Sequence, residues 1–292
     1  MTLIDAHQHY WQLARGDYAW LTPALGPLQR DFLPAALAPQ RAACGIDATV
    51  LVQAAATEAE TRYLLDLARA EASIAGVVGW VDFEAADVRA RLRELVREGA
   101  GLLKGVRPMV QDIPDPRWLE RTDLDEAFAA LIDEDLCFDA LVMPAQLPAL
   151  AHRLRRHPSL RAVLDHAGKP AIAGGEFDEW AASIAALARG GELHCKLSGL
   201  LTEAAPEADA AAEADAAAGW PGLERYVAHI FDCFGPERVL WGSDWPVLTL
   251  RTDYRRWFEM ARALVRRHAP GQEAAVFGGN AARFYRLGAR PR

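Results

Sequence analysis

Two histidines separated by one residue lie close to the start of the chain, in the stretch IDAHQHYW that runs from residue 4 to residue 11. The imidazoles of His7 and His9 could bind a metal, take part in catalysis or simply lie on a loop, and the pair alone leaves all three roles open. With a carboxylate from elsewhere in the chain, imidazoles form the nitrogen and oxygen donor set that suits Zn²⁺. The other polar residues therefore have to be placed before the chemistry can be chosen.

Polar side chains recur at the carboxyl ends of short apolar runs, which are typical of strands buried on both faces. An ionisable group in such a strand needs a reason, because burial without a partner is costly. Asp5 shares the parity of His7 but is expected to bind backbone groups. Asp165 is expected to face the helices, since its parity is opposite to that of His166. The candidates that remain are His7, His9, Arg107, His166, Lys196 and Asp244.

The apolar runs alternate with stretches of helical periodicity. The predicted strands lie within residues 2–7, 49–54, 74–80, 102–107, 137–142, 161–168, 193–199 and 238–245. The predicted helices lie within residues 60–72, 87–99, 124–135, 145–158, 223–235 and 252–268. This alternation predicts a parallel sheet, and eight units in 292 residues predict an α/β fold, a (β/α)8 TIM barrel, with residues 1–292 forming one domain. A doubly wound open sheet is the alternative, but His-Gln-His rather than G-x-G-x-x-G ends the first strand.

Closing the strands into a barrel brings their carboxyl ends together above one cavity, where barrel enzymes carry their sites. The predicted ligands of one divalent metal ion, best matched by Zn²⁺, are His7, His9, His166 and Asp244. Asp244 is also the predicted general base for a water molecule. The other predicted catalytic residues are His166, Arg107 and Lys196, the two cations supplying positive charge to a developing oxyanion or an anionic group.

Two insertions are longer than usual loops between strand and helix. The first, residues 10–33, carries aromatic rings suited to the wall of a pocket. The predicted substrate-binding residues are Trp11, Trp20, Gln53 and Trp245. The second, residues 202–219, is acidic and rich in alanine, and is expected to be a mobile surface segment or a solvated helix rather than a lid.

Composition argues against several classes of partner. A net charge of −8 and a pI of about 5.5 argue against binding to nucleic acid or to an anionic membrane surface. The apolar run over residues 75–81 is too short to cross a bilayer. The four cysteines form no C-x-x-C motif and no signal peptide is recognised, so free thiols and a cytoplasmic location are expected.

Three blocks resemble the amidohydrolase superfamily: DAHQHYW at 5–11, VLDHAGKP at 163–170 and WGSDWP at 241–246. Further blocks, GVVGWVDF, LKGVRPMVQD and HCKLSGLLTEA, resemble its branch of sugar-lactone hydrolases, which includes L-fuconolactonases and L-rhamnonolactonases. The resemblance implies a metal-dependent-hydrolase barrel that opens a cyclic ester, with His7, His9 and Asp244 as metal ligands and His166 beside them. The run 137–142 lacks the histidine of two-metal members, which argues for one metal ion, or for imidazoles that act without metal.

The resemblance predicts a hydrolase of carbohydrate catabolism whose partner is a small sugar lactone, attacked by water with Asp244 as base. The sequence also allows a homodimer. Three alternatives stay open at this point: a decarboxylase of the same superfamily, a lactonase for 2-pyrone-type dicarboxylates, and a binding protein without catalytic activity.

Overall fold

A computed structural model describes residues 2–204 and 222–288. Its single sheet has eight parallel strands in the order in which they occur along the chain. They are β1 Ile4–Gln8, β2 Ala48–Val52, β3 Ile74–Gly79, β4 Leu103–Val106, β5 Cys137–Ala140, β6 Ala162–Leu164, β7 His194–Leu197 and β8 Val239–Trp241. The sheet closes where the His9 amide donates to the Trp245 carbonyl at 2.7 Å and the Asp244 amide donates to the His7 carbonyl at 2.8 Å. The predicted barrel is confirmed, and the open sheet is wrong.

Helices connect successive strands and pack around the barrel. They are α1 Pro34–Cys44, α2 Glu58–Ala70, α3 Val88–Gly99, α4 Asp125–Asp133, α5 Leu147–Arg156, α6 Asp178–Arg189, α7 Leu200–Glu203, α8 Leu223–Phe234, α9 Tyr254–His268 and α10 Asn280–Phe284. The six predicted helices agree with α2, α3, α4, α5, α8 and α9 to within about two residues at each end. α1 was not predicted, because it buries a single side chain, Leu37, and its sequence therefore shows no apolar stripe.

The lower part of the barrel interior is filled by small and branched side chains from alternate strand positions. This inner cluster contains Ile4, Ala6, Val50, Val52, Val78, Cys137, Val163 and Leu240, together with Phe284 and Tyr285. The last two residues belong to α10 or follow it, so the end of the described chain closes the interior from one side. Polar groups lie above this layer, at the carboxyl ends of the strands.

The two insertions differ in what the structure describes. Residues 10–33 are described in full, and an isolated bridge between Trp11 and Phe32 joins the two ends of this segment. Most of the acidic segment 202–219 lies outside the described residues, so its predicted character stays a prediction. Within the described ranges, every helix is too short or too polar to span a bilayer.

Candidate active site

Three imidazoles converge on one carboxylate oxygen at the barrel mouth. The Nε2 atoms of His9, His7 and His166 lie 3.3, 3.8 and 3.9 Å from Oδ1 of Asp244. The four side chains come from the ends of β1, β6 and β8, and each is buried. His9, His166, Asp244 and Arg107 line a cavity of about 230 Å³. The barrel therefore brings these predicted site residues together, as the sequence interpretation required.

An irregularity in β1 decides which residues enter the site. The pairing of β1 with β2 shifts register between Asp5 and Gln8. Beyond this shift His7 and His9 face Asp244, whereas Asp5 accepts hydrogen bonds from the His7 and Ser243 amides and from the Tyr254 hydroxyl. The predicted backbone role of Asp5 is confirmed. The prediction that Asp5 and His7 lie on the same face of β1 is wrong, because the register shift interrupts the alternation of side chains along the strand.

The segment after β6 is held in an unusual backbone conformation. His166, Ala167, Gly168 and Lys169 all have φ between 51° and 70°. Left-handed conformations cost non-glycine residues energy and persist where surrounding contacts fix them. The Trp180 indole donates to the Ala167 carbonyl at 2.8 Å and is one such contact. This turn points His166 and Lys169 into the cavity.

Two glycines let the strands approach the histidines. A Cβ atom on Gly199, whose φ is +65°, would lie 2.4 Å from Nδ1 of His166. A Cβ atom on Gly242 would lie 2.6 Å from Cβ of His7. Real Cβ contacts are not this short, so both imidazoles occupy their positions only because these residues lack a side chain.

Hydrogen bonds at the far side of two rings set their tautomers. Nδ1 of His9 lies 2.8 Å from the Val52 carbonyl oxygen, which can only accept, so this nitrogen carries the proton. Nδ1 of His166 lies 2.9 Å from the Ser198 hydroxyl, which can accept in the same way. Burial lowers the pKa of His166 and of His7, so these rings are neutral near pH 7. Nε2 of His9 is thus the nitrogen that faces Asp244 and can bind a metal, and Ser198 allows a proton on Nδ1 of His166 as well.

The donors fit one divalent metal ion. His7, His166 and Asp244 can each offer a ligand atom, and these atoms all lie within 4.8 Å of one another. Neutral imidazole nitrogens with one carboxylate oxygen are ligands that Zn²⁺ accepts. Nδ1 of His7 faces buried ions, the Lys196 ammonium at 3.0 Å and the Asp165 carboxylate at 3.5 Å, and these partners fix the orientation of the ring.

A buried ion network supports His7 from below. The ammonium of Lys196 lies 2.6 Å from Asp139, 2.9 Å from Asp165 and 3.0 Å from Nδ1 of His7. Burial alone would lower the pKa of Lys196, but the two carboxylates outweigh it and raise the pKa above its ordinary value. Lys196 is fully buried and does not line the cavity, so it positions His7 and does not meet a substrate directly.

Arg107 joins this network to the cavity wall. Its guanidinium lies 3.2 Å from Asp165 and donates to the Gln53 carbonyl at 2.5 Å. The Gln53 amide in turn donates to the Arg107 carbonyl at 2.7 Å. Asp165 therefore lies inside the barrel, and the expectation that it faces the helices is wrong. The left-handed turn at His166 invalidates the parity comparison, because that residue no longer belongs to the strand.

Asp244 differs from the other two carboxylates of the site in its ionic partners. Lys196 and Arg107 are the cations of this cluster, and they are paired with Asp139 and Asp165. The third carboxylate, Asp244, has the three imidazoles as its partners, and no lysine or arginine of the described residues is ion-paired with it. A metal ion bound by the imidazoles would therefore lie next to a carboxylate that no other cation occupies.

The predicted substrate-binding residues separate into two groups. Trp20 lines the cavity and is held by a bond of 2.7 Å from its indole to the Ala54 carbonyl. Trp11 stands behind it, fully buried, with the ring centroids 5.5 Å apart. Gln53 and Trp245 are also buried and lie outside the cavity wall.

Several wall residues were missed by the sequence interpretation. They are Met109, Gln111, Asp112, Leu141, Lys169, Thr202 and Val247. Among the residues described, nothing bonds the buried Oε1 of Gln111, which leaves it able to accept from a substrate hydroxyl. Gln111 and Asp112 belong to the block LKGVRPMVQD, whose polar end after Arg107 was the available indication.

The fold and this constellation define the class of the protein. The chain belongs to the amidohydrolase family, whose model, described as Amidohydrolase, matches residues 4–287. This agrees with the resemblance found in the sequence blocks.

Particular relatives cover both chains almost completely. A protein named L-fucono-1,5-lactonase from Burkholderia ambifaria is 43% identical over 288 residues, which are 97% of this chain and 95% of the relative. A second L-fucono-1,5-lactonase, from Burkholderia multivorans, is 39% identical over 300 residues, which are 97% of this chain and 96% of the relative. A solved amidohydrolase structure from Burkholderia multivorans with bound zinc has a TM-score of 0.87 at 36% identity, covering 99% of this chain and all of that one.

A buried glutamate fixes the turn after β2 that forms part of the cavity wall. The carboxyl of Glu60, on α2, accepts from the Ala54 amide at 3.0 Å and from the Ala55 amide at 2.5 Å. Burial raises the pKa of Glu60 to about 7. The folded protein therefore takes up a proton here between its unfolded pKa of 4.5 and pH 7, and stability falls as the pH rises through this window.

Glu60→Gln should remove this pH dependence, because glutamine keeps an acceptor for the two amides but cannot ionise. We expect its unfolding free energy, relative to the unchanged protein, to rise by roughly 2 to 3 kcal/mol between pH 5 and pH 8. Urea unfolding at both pH values measures this difference. Glu179→Gln, at an exposed position on α6, is the control and should show a constant difference. A constant difference for Glu60→Gln as well would contradict the assigned titration.

Proposed function

We propose that this protein hydrolyses a sugar lactone, an aldono-1,5-lactone such as L-fuconolactone or L-rhamnonolactone, to the sugar acid. The observation that carries the proposal is the convergence of three imidazoles on Asp244 beside Arg107 at the cavity wall. The lactonase relatives support the same reaction, since they align over almost the full chain. The single domain over 1–292, the cytoplasmic location, the absence of a nucleic-acid partner and the homodimer stay predictions.

Asp244 is the proposed general base. Burial by itself raises the pKa of this carboxyl, but the imidazoles of His166, His9 and His7 outweigh it and hold the pKa well below its usual range. Asp244 is thus ionised at pH 7 and can take a proton from a water molecule in the cavity. The water oxygen forms a bond to the lactone carbonyl carbon, and the ring C–O bond then breaks as Asp244 returns the proton to the leaving oxygen. Acid–base assistance of this kind contributes about 10²- to 10⁴-fold in rate.

Arg107 is placed to stabilise the oxyanion, whereas His166, with its proton on Nδ1, is placed to act as a ligand through Nε2. Arg107 lines the cavity, as Asp244 does, and its guanidinium is held rigid by Asp165 and by the Gln53 carbonyl. A donor fixed before the reaction requires no reorganisation when charge develops on the carbonyl oxygen. Lys196 contributes indirectly, by orienting His7.

The proposed metal ligands are His7, His9, His166 and Asp244, with Zn²⁺ as the ion. When bound, the ion supplies Lewis acidity and lowers the pKa of a coordinated water. One ion is proposed because β5 ends without a histidine that could serve a second. The proton on Nδ1 of His9, the Asp244 carboxylate without a lysine or arginine partner among the described residues, and the zinc-bound relative support this assignment.

Asp244→Asn should reduce lactone hydrolysis by at least about 10²-fold, because the amide cannot take the proton. Asparagine tolerates the left-handed backbone at this position, where φ is 58°, so the fold should persist. A pH-indicator assay over a panel of aldono-1,5-lactones measures acid release, and gas analysis should detect no CO₂. Asp135→Asn is the matched control, since Asp135 is exposed and also has a left-handed φ of 54°. A turnover number of Asp244→Asn near that of the unchanged protein would refute the mechanism.

Gly199→Ala should displace His166 and lower the turnover number by about 10²-fold, the loss that a misplacement of about 1 Å can cause. Gly45→Ala is the control, because Gly45 has nearly the same φ, +69°, but nothing within 4 Å of an added Cβ. Both variants bear the same backbone cost of about 1–2 kcal/mol, which thermal unfolding measures. Equal activity of the two variants would show that the position of His166 is unimportant.

Removal of metal should abolish hydrolysis, and addition of Zn²⁺ should restore it together with one bound ion per chain. Dialysis against a chelator, elemental analysis and the lactone assay check this on one sample. Circular dichroism should show the fold unchanged. Full activity of a sample without measurable metal would mean that the imidazoles act directly on the substrate.

A further inference from the structure

The active-site cavity continues into a second, larger one. This outer groove has a volume of about 490 Å³, against about 230 Å³ for the active-site cavity. Four residues form part of both walls: Trp20, Ala54, Met109 and Asp112. The groove extends over the loops that follow β2, β3 and β4, whereas Asp244 and His166 lie on the side of β8 and β6. A molecule attacked beside Asp244 could therefore extend into the outer groove without leaving the protein surface.

Aromatic rings form much of the groove wall. They are Trp20, Trp80, Phe83 and Trp118. The indole of Trp118 donates to the Glu84 carboxylate at 2.7 Å, which fixes both side chains. The indole of Trp20 is fixed by the Ala54 carbonyl. Rigid rings of this kind offer apolar faces at little cost in side-chain entropy.

The charged side chains of the groove wall are all carboxylates. Its ionisable wall residues are Asp17, Asp82, Glu84 and Asp112. The groove wall, all of it within the described ranges, contains no lysine or arginine. Asp17 and Glu84 are ion-paired with Arg15 and Arg121. The carboxylates of Asp82 and Asp112 would repel an anionic group, whereas hydroxyl groups could donate to them. Rings with carboxylates between them suit a neutral molecule that carries many hydroxyls.

We propose that the outer groove binds a neutral glycosyl substituent, so that the substrates include aldonolactones that carry a second sugar. This inference rests on the proposed lactonase function and extends its substrate class. The inner cavity holds the lactone ring next to Asp244, and the second sugar lies against Trp80 with its hydroxyls facing Asp82. Contacts remote from the reacting carbon can raise the specificity constant, because they are kept in the transition state.

The test compares an aldono-1,5-lactone with the set of its derivatives that carry one galactosyl group on a different hydroxyl. At least one derivative should be hydrolysed with a kcat/KM equal to or above that of the parent lactone. Trp80→Ala and Asp82→Asn should each lower kcat/KM for that derivative by about tenfold, the size expected for one aromatic contact, and leave the parent lactone within about twofold. Phe177→Ala removes an equally half-buried ring outside both cavities and should affect neither substrate.

The outcomes separate this inference from the proposed function. Hydrolysis of the parent lactone but of none of the derivatives would overturn the inference and leave the lactonase function intact. Equal losses on both substrates in the two groove variants would also overturn it. Absence of hydrolysis for every lactone would refute the proposed function itself. Asparagine is nearly isosteric with aspartate, so Asp82→Asn still tests the binding of the glycosyl group if Trp80→Ala unfolds.

Discussion

The buried ion network below the cavity is the interaction on which the site depends. Lys196 is enclosed by Asp139 and Asp165, and Arg107 completes the pairing. Removing one member would leave a buried charge unpaired, at a cost of about 3–5 kcal/mol. The network thereby fixes Asp165 and the Nδ1 side of His7, so the position of the imidazole depends on charges that no substrate touches. The phenol of Tyr285 donates to Asp139 at 2.7 Å and ties the network to the end of the described chain.

The regular strands of the barrel could be predicted from the sequence more readily than the buried network and the site above it. The eight strands were predicted correctly because each is a short run that is buried on both faces and carries few polar residues. The convergence of their ends followed from closure of the barrel. α6 could have been predicted as well, since Trp180, Ile184 and Leu187 repeat at helical spacing, whereas α1 offers no such repeat.

Details of the site were harder to predict because they depend on local departures from regular strands. The register shift in β1 separates Asp5 from His7, and the left-handed turn separates His166 from Asp165. Parity along a strand predicts neither, since both depend on contacts with distant segments. The sequence also indicated the aromatic character of the first insertion, but only packing shows that Trp11 supports Trp20 from behind. Asp139 was missed, although an ionisable residue within the buried run 137–142 was itself an indication of a partner.

The distribution of charge around the cavity suits a neutral substrate better than an anionic product. Both cations of the network are paired with carboxylates, and Lys169 on the cavity wall is paired with Glu203. In the proposed mechanism Arg107 therefore stabilises an oxyanion but has little positive charge left to retain a full carboxylate. The lactone of the proposed reaction is neutral, so the carboxylates of the outer groove do not repel it. Its opening creates a carboxylate beside Asp244 and within reach of that same groove, and like charges repel. Because the paired network also keeps Lys196 away from the cavity, the arrangement that holds the catalytic groups in place favours release of the acid product.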